Sequence, residues 1–337
     1  MPQVNELNVP QFSVIIPVYN KEPHIARSIS SVLNQSFDNF ELIIVCDPST
    51  DNSNKQVDKF TDSRIKVLHR DQPGPGGYAA RNLGLDEARA EWVAFLDADD
   101  EWLDDHLKSL NNLLSKNPKY DFIAASFIEI GEVPRVIGLN PKLGVYREFS
   151  FEHYLTYSPF YTSCVLCKKK LLLNVGAFPD GKMSRGGDVD TWLRAIEKAG
   201  GYIMSAHLGA KYYKNTVNMI TRNFFYGDQE IRNSSIKYFI EKYKNTKTSK
   251  KLMKKWNNHV IYAWNQNMHL NVEKNFDLNG KLFFKIFHLR AFAFYMLSNL
   301  PMSFLKPLHR KLFFFARIKR NLFKRKITYL IQSIQMV

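Results

Sequence analysis

Cysteine is scarce in this chain, and the few cysteines present cannot form a framework. Only Cys46, Cys164 and Cys167 occur in 337 residues. A fold that depended on disulfides would need more, so the count fits a protein of a reducing compartment. Cys164 and Cys167 spell C-x-x-C, but they lie in an apolar run in which positions three apart face opposite sides of a strand. We interpret both as buried small hydrophobes and not as metal or redox ligands.

Long hydrophobic runs are missing as well. No uninterrupted apolar stretch reaches the roughly 18 residues of a membrane-spanning helix. The first 10 residues are polar and contain no basic segment followed by an apolar one, so we expect no signal peptide. With 45% apolar and 23% charged residues, the composition is that of a globular enzyme with one large domain or two units.

Acidic residues are absent from the C-terminal stretch. Residues 278–337 contain twelve Lys and Arg but no Asp or Glu, and they carry most of the formal net charge of +15. Aromatic residues occur among the basic ones, which is typical of a helix on an anionic membrane surface. Alternatively, the apolar faces pack on the rest of the chain or on a second subunit of a homo-oligomer. Nucleic acid is not the expected partner, because no nucleic-acid-binding module is recognisable.

Apolar strands alternate with helices in the N-terminal part. We predict strands at 12–18, 40–45, 65–68 and 92–96, and helices at 23–33, at 54–60 and around 84–89. Continuous Val, Ile and Leu runs indicate an α/β fold with a mostly parallel sheet covered by helices on both faces. Ligands of such sheets bind beyond the carboxyl ends of the strands. The polar loops 19–20, 47–53, 72–82 and 97–100 are expected at that edge.

The remaining sequence divides into two parts. Residues 120–210 contain predicted strands at 123–130 and 162–167 and a predicted helix at 190–199, and we expect them to extend the same sheet. Beyond about residue 224 the sequence becomes rich in lysine and aromatic residues and is predicted to be helical. We therefore expect boundaries near 115/116 and 223/224, the last part being a basic and aromatic helical extension.

Two carboxylates end the fourth predicted strand. In an extended backbone, Asp97 and Asp99 point to one side while Ala98 faces away. Hard oxygen ligands of this kind suit Mg²⁺ or Mn²⁺ and leave coordination positions for the oxygens of a diphosphate. The alternative is a solvated turn before a helix that starts near Trp102.

Five motifs in a fixed order give the chain a family resemblance. They are residues 13–20 (SVIIPVYN), 47–53 (DPSTDNS), 76–84 (GGYAARNLG), 97–99 (DAD) and 187–194 (GDVDTWLR). In this respect the chain resembles the family 2 glycosyltransferases of the GT-A fold, inverting enzymes that use nucleotide-activated sugars. The resemblance covers about residues 10–220, and five ordered matches are more specific than any single one.

The resemblance implies a donor site and its residues. It assigns 10–115 to a nucleotide-sugar-binding half, 116–223 to an acceptor-binding and catalytic half, and 224–337 to a membrane-associating region. In the family, the residue matching Tyr19 stacks on the base and the residue matching Asp47 accepts a hydrogen bond from uracil. Strand-end packing for Tyr19 and a turn or helix cap for Asp47 are the alternatives. The implied substrate-binding residues are Pro17, Tyr19, Asn20, Asp47, Arg81, Asp97, Ala98 and Lys214.

The resemblance also implies the catalytic groups. Asp188 matches the base that deprotonates the acceptor hydroxyl, whereas Asp97 and Asp99 match the residues that frame the nucleotide and the metal, Mn²⁺ or Mg²⁺. Asp190 is a competing candidate, although it could equally be a helix cap. The chain departs from the family pattern at three places. Pro48 stands where Gly is usual, Gly187 where Glu is usual, and Asn215 in the region where many members have His.

Together these features predict a glycosyltransferase acting on surface polysaccharide. It would move a sugar from a nucleotide sugar, with UDP as the expected carrier, to a glycan or lipid-linked saccharide. The expected location is cytoplasmic, at the inner face of the plasma membrane. Two alternatives stay open: a catalytically degenerate nucleotide-sugar-binding scaffold and a nucleotidyltransferase. Against the second, the Gly-rich basic loop expected after the first strand is replaced by residues 17–20 (PVYN).

Overall fold

The first four predicted strands form a continuous parallel part of one sheet. In the computed structural model they are β1 (Phe12–Val18), β2 (Phe40–Cys46), β3 (Ile65–His69) and β4 (Trp92–Phe95), in the spatial order β3-β2-β1-β4. All three pairings are parallel. Every residue of β2 and β4 is buried, as the continuous apolar runs predicted for a sheet covered on both faces.

Three helices connect these strands. They are α1 (Ile25–Leu33), α2 (Ser53–Val57) and α3 (Tyr78–Glu87). α1 buries Ile25, Ile29 and Val32, which recur at the helical spacing and therefore form one apolar stripe. α3 begins earlier than the predicted helix because the loop before it closes in a 3₁₀ turn over Pro75–Gly77. Arg81 consequently lies in the first turn of a well-defined helix.

The next residues extend the sheet and make it mixed. They form β5 (Glu101–Trp102), α4 (His106–Lys116), β6 (Phe122–Ile130), β7 (Arg135–Ile137), β8 (Tyr146–Ser150), α5 (Phe151–Thr156), β9 (Val165–Lys168), α6 (Lys169–Asn174), α7 (Gly187–Ala199) and β10 (Gly201–Tyr213). β9 lies between β4 and β6 and runs antiparallel to both. Beyond it the order is β6-β10-β5, with β7 on β6 and β8 on β10.

Two of the predicted helix starts are wrong. Trp102 lies in β5, not at the start of a helix, and α4 begins only at His106. The indole Nε1 of Trp102 donates to the carbonyl oxygen of Ser163 at 2.7 Å, which fixes the residue in the core. α7 begins at Gly187, three residues before the predicted start at Asp190, because Gly186 adopts a left-handed conformation that turns the chain into the helix.

The described part of the chain ends in helices. The structure describes residues 9–140, 142, 144–216, 233–269, 278, 280–284 and 289–299. The helices are α8 (Ile236–Lys242), α9 (Lys247–His269) and α10 (Leu289–Ser298). Among these residues no helix is long and apolar enough to cross a membrane. Most of the basic and aromatic stretch at 282–326 lies outside the described residues.

The chain separates into two compact units. The first is Met1–Lys255 and holds the sheet, whereas the second is Trp256–Val337. In the second unit, the indole of Trp256 donates to the carbonyl oxygen of Lys281 at 2.5 Å, and Asn257 exchanges two hydrogen bonds with the backbone of Phe283. The predicted functional boundaries near 115/116 and 223/224 stay predictions.

All three cysteines are buried and free, as predicted. Burial raises the pKa of Cys46 to about 12 and the pKa of Cys164 well above its ordinary value. These thiols therefore stay protonated and unreactive.

Candidate active site

The polar loops predicted at the sheet edge meet there. β1 and β2 are in register up to Val18 and Cys46, and Tyr19 and Asp47 directly follow these partners. β4 ends at Phe95 on the other side of β1, two residues before Asp97. The carboxyl ends of three neighbouring strands thus present their loops to a common edge.

Asp47 is held from the loop that precedes α3. Its side chain is buried and accepts hydrogen bonds from Arg70 Nη1 at 2.6 Å and from the amide of Gly74 at 3.1 Å. Asp47 is therefore neither a turn residue nor a helix cap. A carboxylate has about four acceptor positions, so lone pairs remain for a further donor.

The residues after β1 shape the surface beside Asp47. The ring of Tyr19 is 43% exposed, so it is not packed into the core. Asn20 has a left-handed backbone with φ of 51°, and its side-chain oxygen accepts from the amide of Thr50 at 2.8 Å. Pro17 lies below the loop before α3, since a Cβ on Gly77 would come within 3.5 Å of its ring. The bond between Asn20 and Thr50 joins the loop after β1 to the loop after β2.

Asp97, Ala98 and Asp99 do not form an extended strand, contrary to the prediction. The amide of Asp100 donates to the carbonyl oxygen of Asp97 at 2.9 Å, which closes a turn over the four residues. Ala98 is buried within this turn. The carboxylates of Asp97, Asp99 and Asp100 have different partners, namely Arg81, Lys21 and Ser163. The two predicted ligand residues still lie close enough for the charge of Asp99 to act on Asp97.

Asp97 pairs with a buried guanidinium. Arg81 Nη2 donates to Asp97 Oδ1 at 2.5 Å, and Arg81 Nη1 donates to the carbonyl oxygen of Gly76 at 2.8 Å. Arg81 is only 7% exposed, which excludes the alternative of an exposed arginine on an ordinary loop. Burial raises the pKa of Asp97, the charge of Arg81 opposes this shift, and the charge of Asp99 adds to it.

Asp99 pairs with an ammonium group that the sequence did not suggest. Lys21 Nζ donates to Asp99 Oδ2 at 2.6 Å, and Thr216 Oγ1 donates to the same oxygen at 2.7 Å. Lys214, which the resemblance implies as a substrate-binding residue, forms an ion pair with Glu129 at 2.5 Å. The feature of the sequence that could have identified Lys21 as a site residue is its position directly after the 13–20 motif.

Asp100 is a third acid of the cluster and was not predicted as a site residue. Its carboxylate accepts from Ser163 Oγ at 2.8 Å and from the amide of Tyr213 at 3.2 Å. Burial, together with the charges of Asp97 and Asp99, raises its pKa well above the ordinary value. Asp100 thus ties the turn after β4 to β10 and to the segment before β9.

Asp188 lies at the start of α7 and is half-buried. Among the described residues its only hydrogen bond comes from Thr162 Oγ1, at 3.3 Å. Its charge acts on both Arg81 and Asp97, although burial is the larger influence on each of those groups. α7 is anchored by Trp192, whose ring packs 5.4 to 5.7 Å from Phe95, Phe122 and Phe178.

Asp190, the competing candidate, has a structural role. Its carboxylate accepts from Arg194 Nε at 3.0 Å and from the amide of Ser235 at 2.6 Å. The residue is 5% exposed, so its lone pairs are directed into the protein. Asp190 therefore holds Ser235, the residue before α8, and does not cap α7.

The residues present fit a divalent cation that is shared with a phosphate. Within the described ranges, no three His, Cys, Asp or Glu side chains converge into a complete metal cage. However, Asp97 Oδ2 and Asp99 Oδ1 accept no hydrogen bond from any described residue, because the bonds to these acids use the other oxygens. Mg²⁺ is usually bound by one or two carboxylates plus substrate phosphates, which is what this pair offers.

Comparison with known proteins identifies the family. Residues 13–177 match the sequence model of glycosyl transferase family 2. The amylovoran biosynthesis glycosyltransferase AmsB of Erwinia amylovora is 31% identical over 238 residues, which are 68% of this chain and 75% of AmsB. The chain belongs to glycosyltransferase family 2. This confirms the resemblance drawn from the five motifs.

Another relative of this family 2 chain is the Escherichia coli UDP-Glc:alpha-D-GlcNAc-diphosphoundecaprenol beta-1,3-glucosyltransferase WfgD. It is 34% identical over 172 residues, which are 50% of this chain and 63% of WfgD. An uncharacterised Haemophilus influenzae glycosyltransferase is 41% identical over 115 residues, 45% of its own length. The chain thus spans less than two thirds of these two relatives.

Among solved structures, the chain is similar to S. aureus TarS. The crystal structure of TarS 1–349 in complex with UDP-GlcNAc superposes with a TM-score of 0.66 and covers 89% of this chain and 86% of that one. The sequence identity is 20%, so the likeness concerns the fold alone. It confirms the GT-A fold expected from the sequence, with the mixed sheet described above.

Proposed function

We propose that this chain is an inverting glycosyltransferase that moves a sugar from a UDP-sugar to a hydroxyl group in surface-polysaccharide synthesis. The observation that carries the proposal is the position of Arg81. Its guanidinium pairs with Asp97 on the donor side, and its charge also interacts with Asp188, the candidate base. A group suited to a departing diphosphate and a group suited to an attacking hydroxyl therefore both interact with one buried cation.

Each residue has a defined task in this proposal. Asp47 and Tyr19 bind the nucleotide base, with Pro17 and Asn20 shaping the pocket beside them. Asp188 removes the proton from the acceptor hydroxyl as its oxygen attacks the anomeric carbon on the face opposite the diphosphate, which inverts that centre. Arg81 stabilises the charge that accumulates on the diphosphate as the bond to the sugar breaks.

A divalent cation would be held by the free oxygens of Asp97 and Asp99, with Ala98 setting their separation. Bound there, Mn²⁺ or Mg²⁺ would supply neutralisation of the diphosphate charge. Lys21 already places a positive charge on Asp99 Oδ2, so it shares this task. Lys214 takes part only if donor binding releases it from Glu129.

The proposed acceptor is a glycan or a lipid-linked saccharide. Support comes from the relatives, since WfgD is named for a diphosphoundecaprenol acceptor and AmsB for amylovoran biosynthesis. A lipid-linked acceptor would explain the basic and aromatic C-terminal sequence as a contact with the anionic inner face of the plasma membrane. Homo-oligomerisation through the same region is the alternative use of those apolar faces.

The test is release of nucleoside diphosphate from a panel of nucleotide sugars, with membrane lipid extract and Mn²⁺ or Mg²⁺. We expect donor-specific turnover that is lost in Asp188→Asn, while the variant still binds the nucleotide. Because general bases contribute about 10²- to 10⁴-fold, the loss should reach that range. Equal turnover in both proteins would remove Asp188 as the base.

Binding without turnover in either protein would favour the second candidate, a degenerate nucleotide-sugar-binding scaffold. That reading draws support from Gly187, which stands where the family usually has an acid. A calorimetric titration of nucleotide separates a folded scaffold from an inactive preparation.

A further inference from the structure

The side chain of Tyr78 occupies a slot between two glycines next to the candidate base. It is the first residue of α3 and is 3% exposed. A Cβ on Gly76 would lie 2.4 Å from the Tyr78 ring, and a Cβ on Gly187 would lie 2.7 Å from it. Because real Cβ atoms do not approach other atoms so closely, the ring and the two glycines require one another.

The hydroxyl of Tyr78 also contacts the start of α7 directly. Its oxygen accepts a hydrogen bond from the amide of Gly187 at 2.8 Å, inside the protein. The first amides of a helix have no partner within the helix, so a buried helix start needs an acceptor from elsewhere. Gly186, at the N-cap, has no side chain to provide one. The tyrosine on α3 therefore caps a helix that is 109 residues distant in sequence.

The neighbouring residues hold the Tyr78 ring in this orientation. Phe178 stacks on it with centroids 6.3 Å apart and ring planes within 7°. Asn82, one turn further along α3, exchanges two hydrogen bonds of 3.0 Å with the backbone of Phe178. α3 thus grips both ends of the segment that leads into α7.

Asp188 is the residue that follows the capped amide. Its own contacts are weak, since the Thr162 hydroxyl is its only hydrogen-bond donor among the described residues. We infer that Tyr78 is a positioning residue that sets the location of Asp188 by capping Gly187. The inference rests on the proposed function, in which Asp188 acts as the base. It also accounts for Gly187, because no larger side chain fits beside Tyr78.

Tyr78→Phe is the sharpest variant, because it removes the hydroxyl and retains the ring. Tyr202→Phe is the matched control: Tyr202 is fully buried in the same unit, and its hydroxyl has no hydrogen-bond partner among the described residues. Deuterium exchange of the peptide covering 186–190 is measured first. We expect at least tenfold faster exchange at this peptide in Tyr78→Phe and no change in Tyr202→Phe.

Kinetics are then measured with the donor found in the panel. We expect kcat of Tyr78→Phe to fall about 10- to 100-fold, since a small displacement of a catalytic group has effects of this size. KM for the donor should stay within about twofold, because Tyr78→Phe retains the ring beside Gly76 and removes only the hydroxyl that bonds the amide of Gly187. A merely structural role would instead lower the urea midpoint and leave kcat per folded molecule unchanged, and that result would overturn the inference.

A second pair of variants tests the fit between the ring and the glycine. Gly187→Ala should lower the urea midpoint strongly in the presence of Tyr78, and adding Tyr78→Ala should restore part of the loss. Additive effects of the two changes would contradict the inference. Absence of turnover in the unaltered protein would end the proposed function but not these two measurements. Unchanged exchange in Tyr78→Phe would overturn the inference whether or not transfer is found.

Discussion

The acids that follow β4 and the acid at the start of α7 lie at the same edge of the sheet, but they are held differently. Asp97 and Asp99 each pair with a cation at 2.5 to 2.6 Å, and Asp100 is buried among hydrogen-bond donors. Asp188 has one hydroxyl donor at 3.3 Å. The acids after β4 are thus fixed by their own contacts, whereas the position of Asp188 depends on α7, the helix that carries it.

This difference matches the two tasks that we propose for these acids. A site for a diphosphate gains from fixed charges that need no rearrangement during the reaction. A base needs an unshared lone pair that can take a proton, and strong ion pairs would lower its basicity. The contrast teaches that stability and activity should separate on mutation: changes near β4 should affect both, and changes at Asp188 should affect only activity.

The largest effect on stability is expected from Arg81→Met. The change leaves Asp97 without its cation and the carbonyl of Gly76 without a donor. Breaking a buried pair by removing one partner costs about 3–5 kcal/mol, which urea unfolding would detect. Lys66→Met is the matched control, because Lys66 and Glu87 are both more than 40% exposed, and such surface pairs contribute about 0–1 kcal/mol. Equal losses in the two variants would contradict the contrast.

The imidazole of His106 is buried and has no hydrogen-bond partner among the described residues. Burial, with a smaller contribution from the charge of His207, lowers the pKa of His106 to about 3. The unfolded chain therefore takes up a proton below about pH 6.5 that the folded chain refuses, and stability falls as the pH decreases. We expect the free energy of unfolding to fall by about 2 kcal/mol between pH 7 and pH 5. When urea midpoints are plotted against pH, the slope should be shallower for His106→Leu than for the unaltered protein. An equal slope in the two proteins would contradict the role of His106 in this pH dependence.

Lys21→Met tests the cation on Asp99. Without the ammonium, Asp99 Oδ2 gains an open acceptor position and the site becomes more negative. We expect Mn²⁺ to bind about fivefold more tightly in the absence of donor, equivalent to about 1 kcal/mol for a partly exposed pair. Mn²⁺ electron paramagnetic resonance measures this binding without turnover. Lys242→Met, which breaks a pair with Glu197 elsewhere, should bind Mn²⁺ like the unaltered protein.

The smallest effect on stability is expected from Asp188→Asn. The single 3.3 Å bond that its carboxylate accepts from Thr162 contributes little. The free energy of unfolding, measured with urea, should therefore change by less than about 0.5 kcal/mol. Asp190→Asn, two residues away, should cost about 1–3 kcal/mol because Arg194 and Ser235 lose a charged acceptor. A larger loss in Asp188→Asn than in Asp190→Asn would reverse the comparison.

The sequence was a good guide wherever burial decides the structure. β1 to β4 follow from their continuous apolar runs, since only a covered sheet accommodates such runs. The edge position of Asp47, Asp97 and Asp99 follows from that sheet. The helix start predicted near Trp102 was wrong because a two-residue strand is too short to show the alternation of apolar and polar residues that is typical of strands.

Contacts between distant segments could not be read in the same way. The pairing of Lys21 with Asp99 spans 78 residues, and that of Tyr78 with Gly187 spans 109. Lys21 directly follows one of the five motifs and Tyr78 lies in another, but the local pattern does not identify their partners, which only the folded sheet brings to them. The turn at Asp97 likewise depends on distant residues: Arg81 donates to its carboxylate, and the hydroxyl oxygen of Ser163 accepts from its amide.

β9 has a consequence for how the chain is made. It pairs with both β4 and β6, yet it is translated after both of them. Until Lys168 has left the ribosome, each of those two strands has an unpaired side that can attract another nascent chain. The sheet can close only when synthesis has passed this strand, so a chain that stalls earlier is the form most exposed to aggregation and to chaperones.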